Sequence, residues 1–378
     1  MSKSIIAAAP SRTASSALVS SSKQDTLLVG LDWGTNISSL QAARPDSSEL
    51  AVQEQIPTVV GYAQENVLPG ILPGDAKVFF GKMAQKHRAH LNLVRPLKGG
   101  VIAERDAARD FAKHLRSRLP ESAGEIRAVI GMPASSDLAA RENARAAVQG
   151  IFQKVIFVPE PFLAALGYRD EDRLADSEYQ DPVLNSLYVD IGAGSTDVCL
   201  VQGRYPTVND QLSVAFAGDA VDQIILEAAL AAYPDSGLTL AKVREAKEKH
   251  SYVMSDDSQQ PAIATVMMAG KPVKVDLTTH IALGCEALLQ KTFEMTRELI
   301  ARAEPDSVNE LLQNIIVTGG GSLIRGFGVA LQTKLLEEGF ENPRVRVLGQ
   351  NYKDYVARGA LKTARQAQDR HWQHVIGG

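Results

Sequence analysis

The chain contains two short, acidic, glycine-rich turns of the same design, each placed between two apolar runs. The first lies in TLLVGLDWGTNISSLQAA and the second in LYVDIGAGSTDVCLV, residues 187 to 201. A strand interior disfavours glycine, because glycine has no side chain to pack and loses the most backbone entropy on ordering. Each stretch therefore predicts a β-hairpin whose first strand ends at an aspartate, Asp32 or Asp190. Either could be a simple glycine-rich bend, but two of them about half a chain apart indicate an internal duplication.

These turns have the residue types needed to hold a polyphosphate and its cation. Successive backbone N–H groups of such a turn can point at one anion, while the aspartate that ends the strand faces the same gap. Two turns facing each other would clamp a polyphosphate and its cation between them. The predicted phosphate-binding residues are Gly34, Thr35, Asn36, Gly192, Ala193, Gly194, Ser195 and Thr196.

Length and composition fit a globular protein with two lobes. A chain of 378 residues is too long for one small core. The hydrophobic share of 45% and the charged share of 22% are ordinary for such proteins. A net charge of −4 gives no support to nucleic acid as the main partner. Because no apolar segment approaches the roughly twenty residues needed to cross a bilayer, no integral membrane segment is expected.

The cysteines and the chain ends add further expectations. The two cysteines, Cys199 and Cys285, argue against a disulfide framework or a structural zinc site and fit a reducing cytosol. Residues 1–24 are rich in Ser and Ala and are predicted to be a disordered arm. Pro10 and Arg12 interrupt the apolar run that a signal peptide needs, which argues against a signal peptide. The alternative to a disordered arm is a transit or lipid-contact role. Residues 366–378 are predicted to be a frayed tail.

Between the ends, strands alternate with helices. Residues 127–133 predict a buried strand and residues 137–152 a helix capped by Asp137. The stretch KVIFVPEPFLAALGY predicts a strand, then Glu160, then a helix start, where proline is tolerated. Residues 279–303 predict a long amphipathic helix. Finally, a strand is followed by Gly319, Gly320 and Gly321, which are predicted to open a helix and to let a ligand approach the backbone.

In this order, the three glycine-rich strand ends and the isolated glutamate resemble the superfamily of actin, sugar kinases and heat-shock chaperone ATPases. The resemblance runs from about residue 26 to residue 362. It implies an α/β, actin-like ATPase fold with two lobes, each with a ribonuclease-H-like core and a smaller subdomain. The nucleotide lies in the cleft between the lobes.

The resemblance also implies the division of the chain. The expected parts are a disordered N-terminal arm at 1–24, lobe I at 25–170 with a small subdomain at about 56–95, lobe II at 184–345 with a small subdomain at about 219–278, a C-terminal helix returning to lobe I at 346–365, and a tail at 366–378.

Longer blocks indicate the subfamily. RPLKGGVIAERD is similar to a pattern of the bacterial actins related to MreB, with Gly99 in place of the usual aspartate. VREAKEKHSYV resembles the KEK helix of actins. PTVVGY, NDQLSVAFAGDAVD, AGKPVKVDLT and LLQNIIVTGGGSLIRG resemble the MreB/MamK group of bacterial actin-like ATPases. Trp33 departs from the pattern, since a smaller or aliphatic residue is usual there, and it is expected to pack beside the cleft or to alter nucleotide exchange.

The resemblance implies roles for single residues. Asp32 and Asp190 would hold magnesium, mostly through its water, because magnesium gives up water reluctantly. Glu160 lies where MreB-like proteins keep the residue that positions the attacking water. Its plainer interpretation is a helix-start glutamate favoured by the macrodipole. Lys247 and Glu248 would touch ribose and base, and their alternative interpretation is an ordinary charged helix face. The remaining nucleotide-binding candidates are Gly218, Gly319, Gly320 and Gly321.

The implied function is that of a polymerising ATPase, with ATP or ADP and magnesium as cofactors. The expected partner is the chain itself, in a cytoplasmic filament that organises an intracellular structure such as magnetosomes, with adaptor proteins linking cargo or organelle. A small-molecule kinase of the same fold is the alternative, although a clear aspartate base and substrate-binding insertions are missing from the sequence. A heat-shock chaperone would need a peptide-binding domain after the ATPase, and an FtsA-like protein would need an amphipathic C-terminal helix. The sequence predicts neither feature, so neither alternative is favoured.

Overall fold

The computed structural model describes residues 26–134, 136–253, 260–349 and 351–374. The arm predicted for residues 1–24 lies outside these ranges. The described residues form two lobes, each with a central sheet flanked by helices. No helix in this part of the chain has the length and apolar character to cross a membrane.

The strands and helices follow one another along the chain with short connections. The strands are β1 (Thr26–Trp33), β2 (Ile37–Ala43), β3 (Val52–Pro57), β4 (Val60–Ala63), β5 (Val78–Phe80), β6 (Leu91–Val94), β7 (Leu97–Lys98), β8 (Val101–Ile102), β9 (Glu125–Met132), β10 (Lys154–Pro159), β11 (Ser186–Ile191), β12 (Thr196–Val201), β13 (Gln211–Val214), β14 (Ile263–Met268), β15 (Lys271–Asp276), β16 (Ile315–Thr318), β17 (Val345–Val347) and β18 (Gln373–His374). The helices are α1 (Gly81–Lys86), α2 (Arg105–Ser117), α3 (Leu138–Val148), α4 (Glu160–Tyr168), α5 (Gly218–Ala232), α6 (Leu240–His250), α7 (Thr278–Ile300), α8 (Val308–Leu312), α9 (Phe327–Glu337) and α10 (Tyr352–Gln366).

The two central sheets repeat one topology. In lobe I the order is β18-β10-β9-β1-β2-β3, and in lobe II it is β13-β12-β11-β16-β17. In each sheet the first strand pairs antiparallel with the second and parallel with a later strand, which in turn pairs parallel with the next. In both lobes three antiparallel strands therefore lie beside two parallel ones, and lobe I adds β18, antiparallel to β10, at one edge. The two lobes repeat one architecture, which agrees with the repeat predicted from the two acidic turns.

A small subdomain accompanies each central sheet. In lobe I, β4, β5 and β6 form a three-stranded sheet, which packs with α1 around Val59, Leu72, Phe79 and Leu91. In lobe II, β14 and β15 form a hairpin. Val266 and Val275 of this hairpin are buried in the same core as α6 and α7 of that lobe. The hairpin is thereby anchored to lobe II by apolar burial, the main favourable contribution to folding. The lobe I subdomain has a small core of its own and joins the lobe I core through Val60 of β4.

Helices α4 and α10 lie between the two lobes. Their apolar residues share one core with Leu28 and Val129 of the lobe I sheet and with Tyr188 and Ile316 of the lobe II sheet. The backbones approach very closely, because a Cβ atom at Gly359 would lie only 1.8 Å from the carbonyl oxygen of Leu163. The two helices thus connect the lobes below the cleft that separates the sheets.

The C-terminal residues differ from their prediction. Trp372 is buried, and β18 pairs antiparallel with β10, so residues 369–374 are not frayed. The guanidinium of Arg127 donates to Asp369 at 2.9 Å and lies 5.9 Å from the ring of Trp372. The prediction was wrong because one tryptophan buries a large area. In addition, the free edge of β10 supplies backbone partners that the sequence of the tail does not reveal. Residues 375–378 lie outside the described part.

Candidate functional site

A cavity of about 570 Å³ lies between the lobes and collects nearly all predicted site residues. Those that line it are Asp32, Gly34, Thr35, Asn36, Glu160, Asp190, Gly192, Ala193, Gly194, Ser195, Gly218, Lys247, Glu248, Gly319, Gly320 and Gly321. Thr196 is the exception. It is fully buried as the first residue of β12, and its hydroxyl donates to the carbonyl of Phe216 at 2.7 Å. The predicted second turn therefore extends one residue too far.

The two turns follow from the hairpins β1–β2 and β11–β12. Asp32 lies opposite Ser39 in the first hairpin, and Asp190 lies opposite Asp197 in the second. The N–H of Gly192 donates to the carbonyl of Ser195 at 2.9 Å, which closes the second turn. Both aspartates come at the carboxyl end of the strand that is central in its sheet. Both therefore face the cavity, as the sequence predicted.

The second turn also contacts the opposite lobe. A Cβ atom at Gly194 would lie 2.5 Å from the hydroxyl oxygen of Thr35 and 2.8 Å from the backbone nitrogen of Gly100. The N–H of Gly100 in turn donates to that hydroxyl at 3.0 Å. Asp197 accepts a hydrogen bond from the backbone N–H of Ala134, in lobe I, at 2.7 Å. The lobes thus touch at the phosphate end of the cleft, and only glycine fits at position 194.

Four carboxyl groups share this end of the cleft, and each has a raised pKa. Burial raises the pKa of Asp32 to about 7. Burial, with Asp197 and Asp32 nearby, raises the pKa of Asp190 to about 8. The pKa of Glu160 is raised well above its ordinary range by burial and by the three aspartates. The pKa of Asp197 is also raised by burial, against hydrogen bonds that lower it. Such a cluster is stabilised in its ionised form by a cation.

The donor set fits a hydrated magnesium ion. Carboxylate oxygens are ligands that Mg²⁺ accepts, and the ion normally keeps several waters and binds phosphate oxygens as well. Among the described residues, no three His, Cys, Asp or Glu side chains are grouped to hold a bare metal ion. Asp32 and Asp190 therefore suit an ion that is held through its water and through a bound polyphosphate.

Helix α6 supplies charged side chains to the other end of the cleft. Lys247 is only 13% exposed and pairs with Asp222 at 2.7 Å. Its ammonium also donates to the carbonyl of Gly218 at 2.8 Å. Arg244, one turn earlier, pairs with Asp222 at 2.7 Å and with Asp219 at 2.6 Å. The side chain of Lys247 is therefore held in place by these contacts and lines the cavity, and it is not part of a solvated helix face.

The glycine triplet and Trp33 need corrections in detail. The triplet opens a 3-10 turn, Gly320–Leu323, and helix α9 begins only at Phe327, after Gly326 in a left-handed conformation. All three glycines still line the cavity. Trp33 is buried in the lobe I core with Leu31 and Leu40, and the residues that line the cavity do not include it.

The cavity residues and neighbours that were not predicted from the sequence include Gly100, Asp197, Arg244, Tyr352 and Lys353. A signal existed for Asp197, because DIGAGSTD contains a second aspartate at the distance of a hairpin partner. Tyr352 and Lys353 carry no such signal. They begin a helix far along the chain, and only the return of α10 to lobe I brings them to the cleft.

The comparisons with known proteins agree with this architecture. The family described as MreB/Mbl protein matches residues 30–369. The chain belongs to this family. It is 30% identical over 361 residues to the actin-like protein MamK of Paramagnetospirillum magneticum, which covers 93% of this chain and 96% of the relative.

Two solved structures of MamK match along almost the whole chain. A MamK double helical filament has a TM-score of 0.80 at 29% identity and covers 91% of this chain and 100% of that one. A non-polymerising MamK mutant bound to AMPPNP has a TM-score of 0.63 at 29% identity, with 90% and 99% covered. The family and these structures confirm the predicted actin-like fold and the predicted function class, a filament-forming actin-like ATPase.

Proposed function

We propose that the protein binds ATP with magnesium in the interlobe cleft, assembles with itself while ATP is bound, and weakens its filament by hydrolysis. One observation carries this proposal. Two acidic phosphate turns and Glu160 face one cavity, in a chain related along its whole length to MamK. MamK has been solved as a filament and with an ATP analogue.

The phosphates would lie between the two turns. Backbone N–H groups of Gly34 to Asn36 and of Gly192 to Ser195 point at anions in turns of this type. Asp32 and Asp190 would hold magnesium mostly through its water, and the ion would neutralise phosphate charge. Gly218, Lys247, Glu248 and the glycines 319–321 would contact the ribose and base. The 3-10 turn after Gly319 leaves the backbone open to close approach.

Glu160 would position the attacking water. The transfer of a γ-phosphoryl group needs charge neutralisation, an in-line nucleophile and a group that orients it. Glu160 begins α4 at the end of β10 and lines the cavity together with Asp32 and Asp190. Besides burial, the three aspartates raise the pKa of Glu160, and Asp197 and Asp32 raise that of Asp190. A cation and a bound triphosphate would therefore set the ionisation of Glu160.

In the cell, the filament would organise or position an intracellular structure, such as magnetosomes, in the cytoplasm. Support comes from the similarity to MamK across both lobes. Adaptor proteins would link the filament to its cargo. A small-molecule kinase is the remaining alternative, and nothing in the geometry favours it.

Sedimentation with ATP and magnesium, followed by electron microscopy of the pellet, tests the proposal. We expect filaments with ATP and magnesium and much less pelleted protein with ADP or with a chelator. Persistent monomers in ATP at tens of micromolar protein, under varied salt, would contradict self-assembly and would favour the kinase alternative.

A further inference from the structure

A single carboxylate connects the second phosphate turn to the opposite lobe. Ser195 lines the cavity, and its hydroxyl donates to one oxygen of Asp197 at 2.7 Å. The other oxygen of Asp197 accepts the backbone N–H of Ala134, just past the end of β9 in lobe I, also at 2.7 Å. Asp197 is 1% exposed, so water does not compete for these bonds. Asp197, the hydrogen-bond partner of the cavity residue Ser195, thereby joins lobe II to the backbone of lobe I.

The hydroxyl of Ser195 has one proton to donate. A serine hydroxyl carries one O–H donor, so it can serve the Asp197 carboxylate or a phosphate oxygen, but not both fully. Both acceptors are anionic, and the terminal phosphate of ATP is the stronger one because it carries more negative charge than a carboxylate. A γ-phosphate held by Gly194 and Ser195 would therefore compete with Asp197 for this proton. Once ATP becomes ADP, the competitor is gone.

We propose that the hydrogen bond between Ser195 and Asp197, here called the link, is replaced when a γ-phosphate is bound, and that the pair sets the preference for ATP over ADP. With ADP, Ser195 donates to Asp197 and steadies the carboxylate that holds Ala134. With ATP, Ser195 donates to the γ-phosphate, and Asp197 keeps Ala134 and Ser213 as its partners. The inference rests on the proposed nucleotide site and adds the two residues whose hydrogen bond responds to the presence of the γ-phosphate.

Two substitutions are expected to act in opposite directions on one measured ratio, the Kd for ADP divided by the Kd for AMPPNP. Ser195→Ala removes the bond to the γ-phosphate together with the weaker bond to Asp197, so it should lower the ratio several-fold, by the difference between the two bonds. Asp197→Asn keeps an oxygen for Ala134 and offers its amide to Ser195, which frees the serine proton for the γ-phosphate. The ratio should rise several-fold.

A double-mutant cycle separates the link from simple charge removal. Replacing Asp197 by asparagine also removes a negative charge near the phosphates, which alone would favour ATP. If the link exists, this gain depends on Ser195 and disappears in the Ser195→Ala background. If the gain is the same in both backgrounds, the link is overturned.

Controls keep the test decisive. Ser195→Thr retains the hydroxyl and should stay near the wild-type ratio. If the ratio of Ser195→Thr equals that of Ser195→Ala instead, the proposal is wrong. This comparison holds even if the Asp197 variant does not fold. Ser186→Ala removes a buried hydroxyl that donates to the carbonyl of Pro182, at the far end of β11, and should leave the ratio unchanged. A wild-type protein that binds neither nucleotide would overturn the proposed function, and with it the site of the link.

Discussion

The two phosphate turns share a design but differ in what faces their aspartates. Asp32 of lobe I lies opposite Ser39, whereas Asp190 of lobe II lies opposite Asp197. Thr35 accepts its hydrogen bond from Gly100 of its own lobe, while the carboxylate beside Ser195 reaches Ala134 across the cleft. The repeated topology explains why two turns face one cavity. Both turns meet where Gly194 lies against Thr35, and the second turn has an additional bond to the opposite lobe through Asp197.

The electrostatics follow the same asymmetry. Two carboxyl groups lie side by side in the second hairpin, and like charges directly opposite each other are unfavourable. Burial is the main cause that raises the pKa of Asp190 to about 8, and Asp197 and Asp32 add to it, whereas burial alone raises the pKa of Asp32 to about 7. The second turn should therefore depend more strongly on a bound cation than the first.

Glu160→Ala should have the largest effect, a fall in phosphate release by orders of magnitude with nucleotide binding and assembly largely kept. Removing a group that orients water affects the transition state more than the ground state. Phosphate release and sedimentation, measured on the same samples, check this. Glu298→Ala, at a surface ion pair with Arg302, is the control. Hydrolysis within about twofold of wild type, where tenfold corresponds to about 1.4 kcal/mol, would contradict the role.

Asp190→Asn should lower turnover sharply at ordinary magnesium concentrations and should shift the magnesium dependence upward. The change keeps the size of the side chain but removes a negative charge next to the cation, and added magnesium offsets weaker binding by mass action. We expect the mutant curve to reach a lower plateau. Curves that superimpose on wild type would leave Asp190 with a structural role only.

Asp32→Asn is the matched change in the first turn. The shift in its magnesium dependence can be compared directly with that of Asp190→Asn. A smaller shift than for Asp190→Asn would agree with the extra carboxyl group in the second hairpin. Equal shifts would show that both turns contribute alike to the cation, and would remove the electrostatic difference between them.

Gly194→Ala should reduce hydrolysis about tenfold or more and speed nucleotide exchange. Its Cβ would lie 2.5 Å from the hydroxyl oxygen of Thr35, so the lobes must separate to make room. The matched change is Gly192→Ala in the same turn, whose Cβ would lie 3.2 Å from the carbonyl oxygen of Ser195 in its own lobe. Exchange of a fluorescent nucleotide measures both. Equal effects would mean that the contact across the cleft has no special role.

The sequence predicted the parts of the site that depend on local chain geometry. A strand, an aspartate and a glycine turn specify each other within a few residues, so Asp32, Asp190 and their turns were found. The cap of α3 was also predicted, since the side chain of Asp137 accepts from the N–H of Ala140. Thr196 was misplaced because a shift of one residue along a strand reverses the face of the side chain.

Contacts that need the tertiary structure could not be predicted in the same way. The bond between Asp197 and Ala134 joins residues 63 positions apart, and nothing in the sequence around either residue indicates that the two meet. Tyr352 reaches the cleft only because α10 packs on α4, where Gly359 lies against Leu163. Trp372 is buried because the edge of β10 is free to pair. Each of these features is set by distant packing and not by the residues next to it.

His114→Phe should have the smallest effect, and it concerns the stability of lobe I alone. The ring of His114 stacks on Phe80 with 4.5 Å between centroids and 6° between planes. Burial lowers the pKa of His114 below its ordinary 6.5, Arg118 lowers it further, and Glu54 opposes this shift. As pH falls below 6.5, the unfolded chain therefore takes up the proton first, and the free energy of unfolding decreases. Above that pH the group has no effect on stability.

We expect the phenylalanine variant to keep the stacked ring and to lose part of the acid sensitivity, with a shift in melting temperature of a few degrees at most. Thermal unfolding at about pH 7.5 and about pH 5.5, on either side of the ordinary histidine pKa, measures the difference. His90→Gln, at an exposed position of the same lobe, should behave like wild type. If the acid sensitivity of His114→Phe equals that of wild type, this histidine does not contribute.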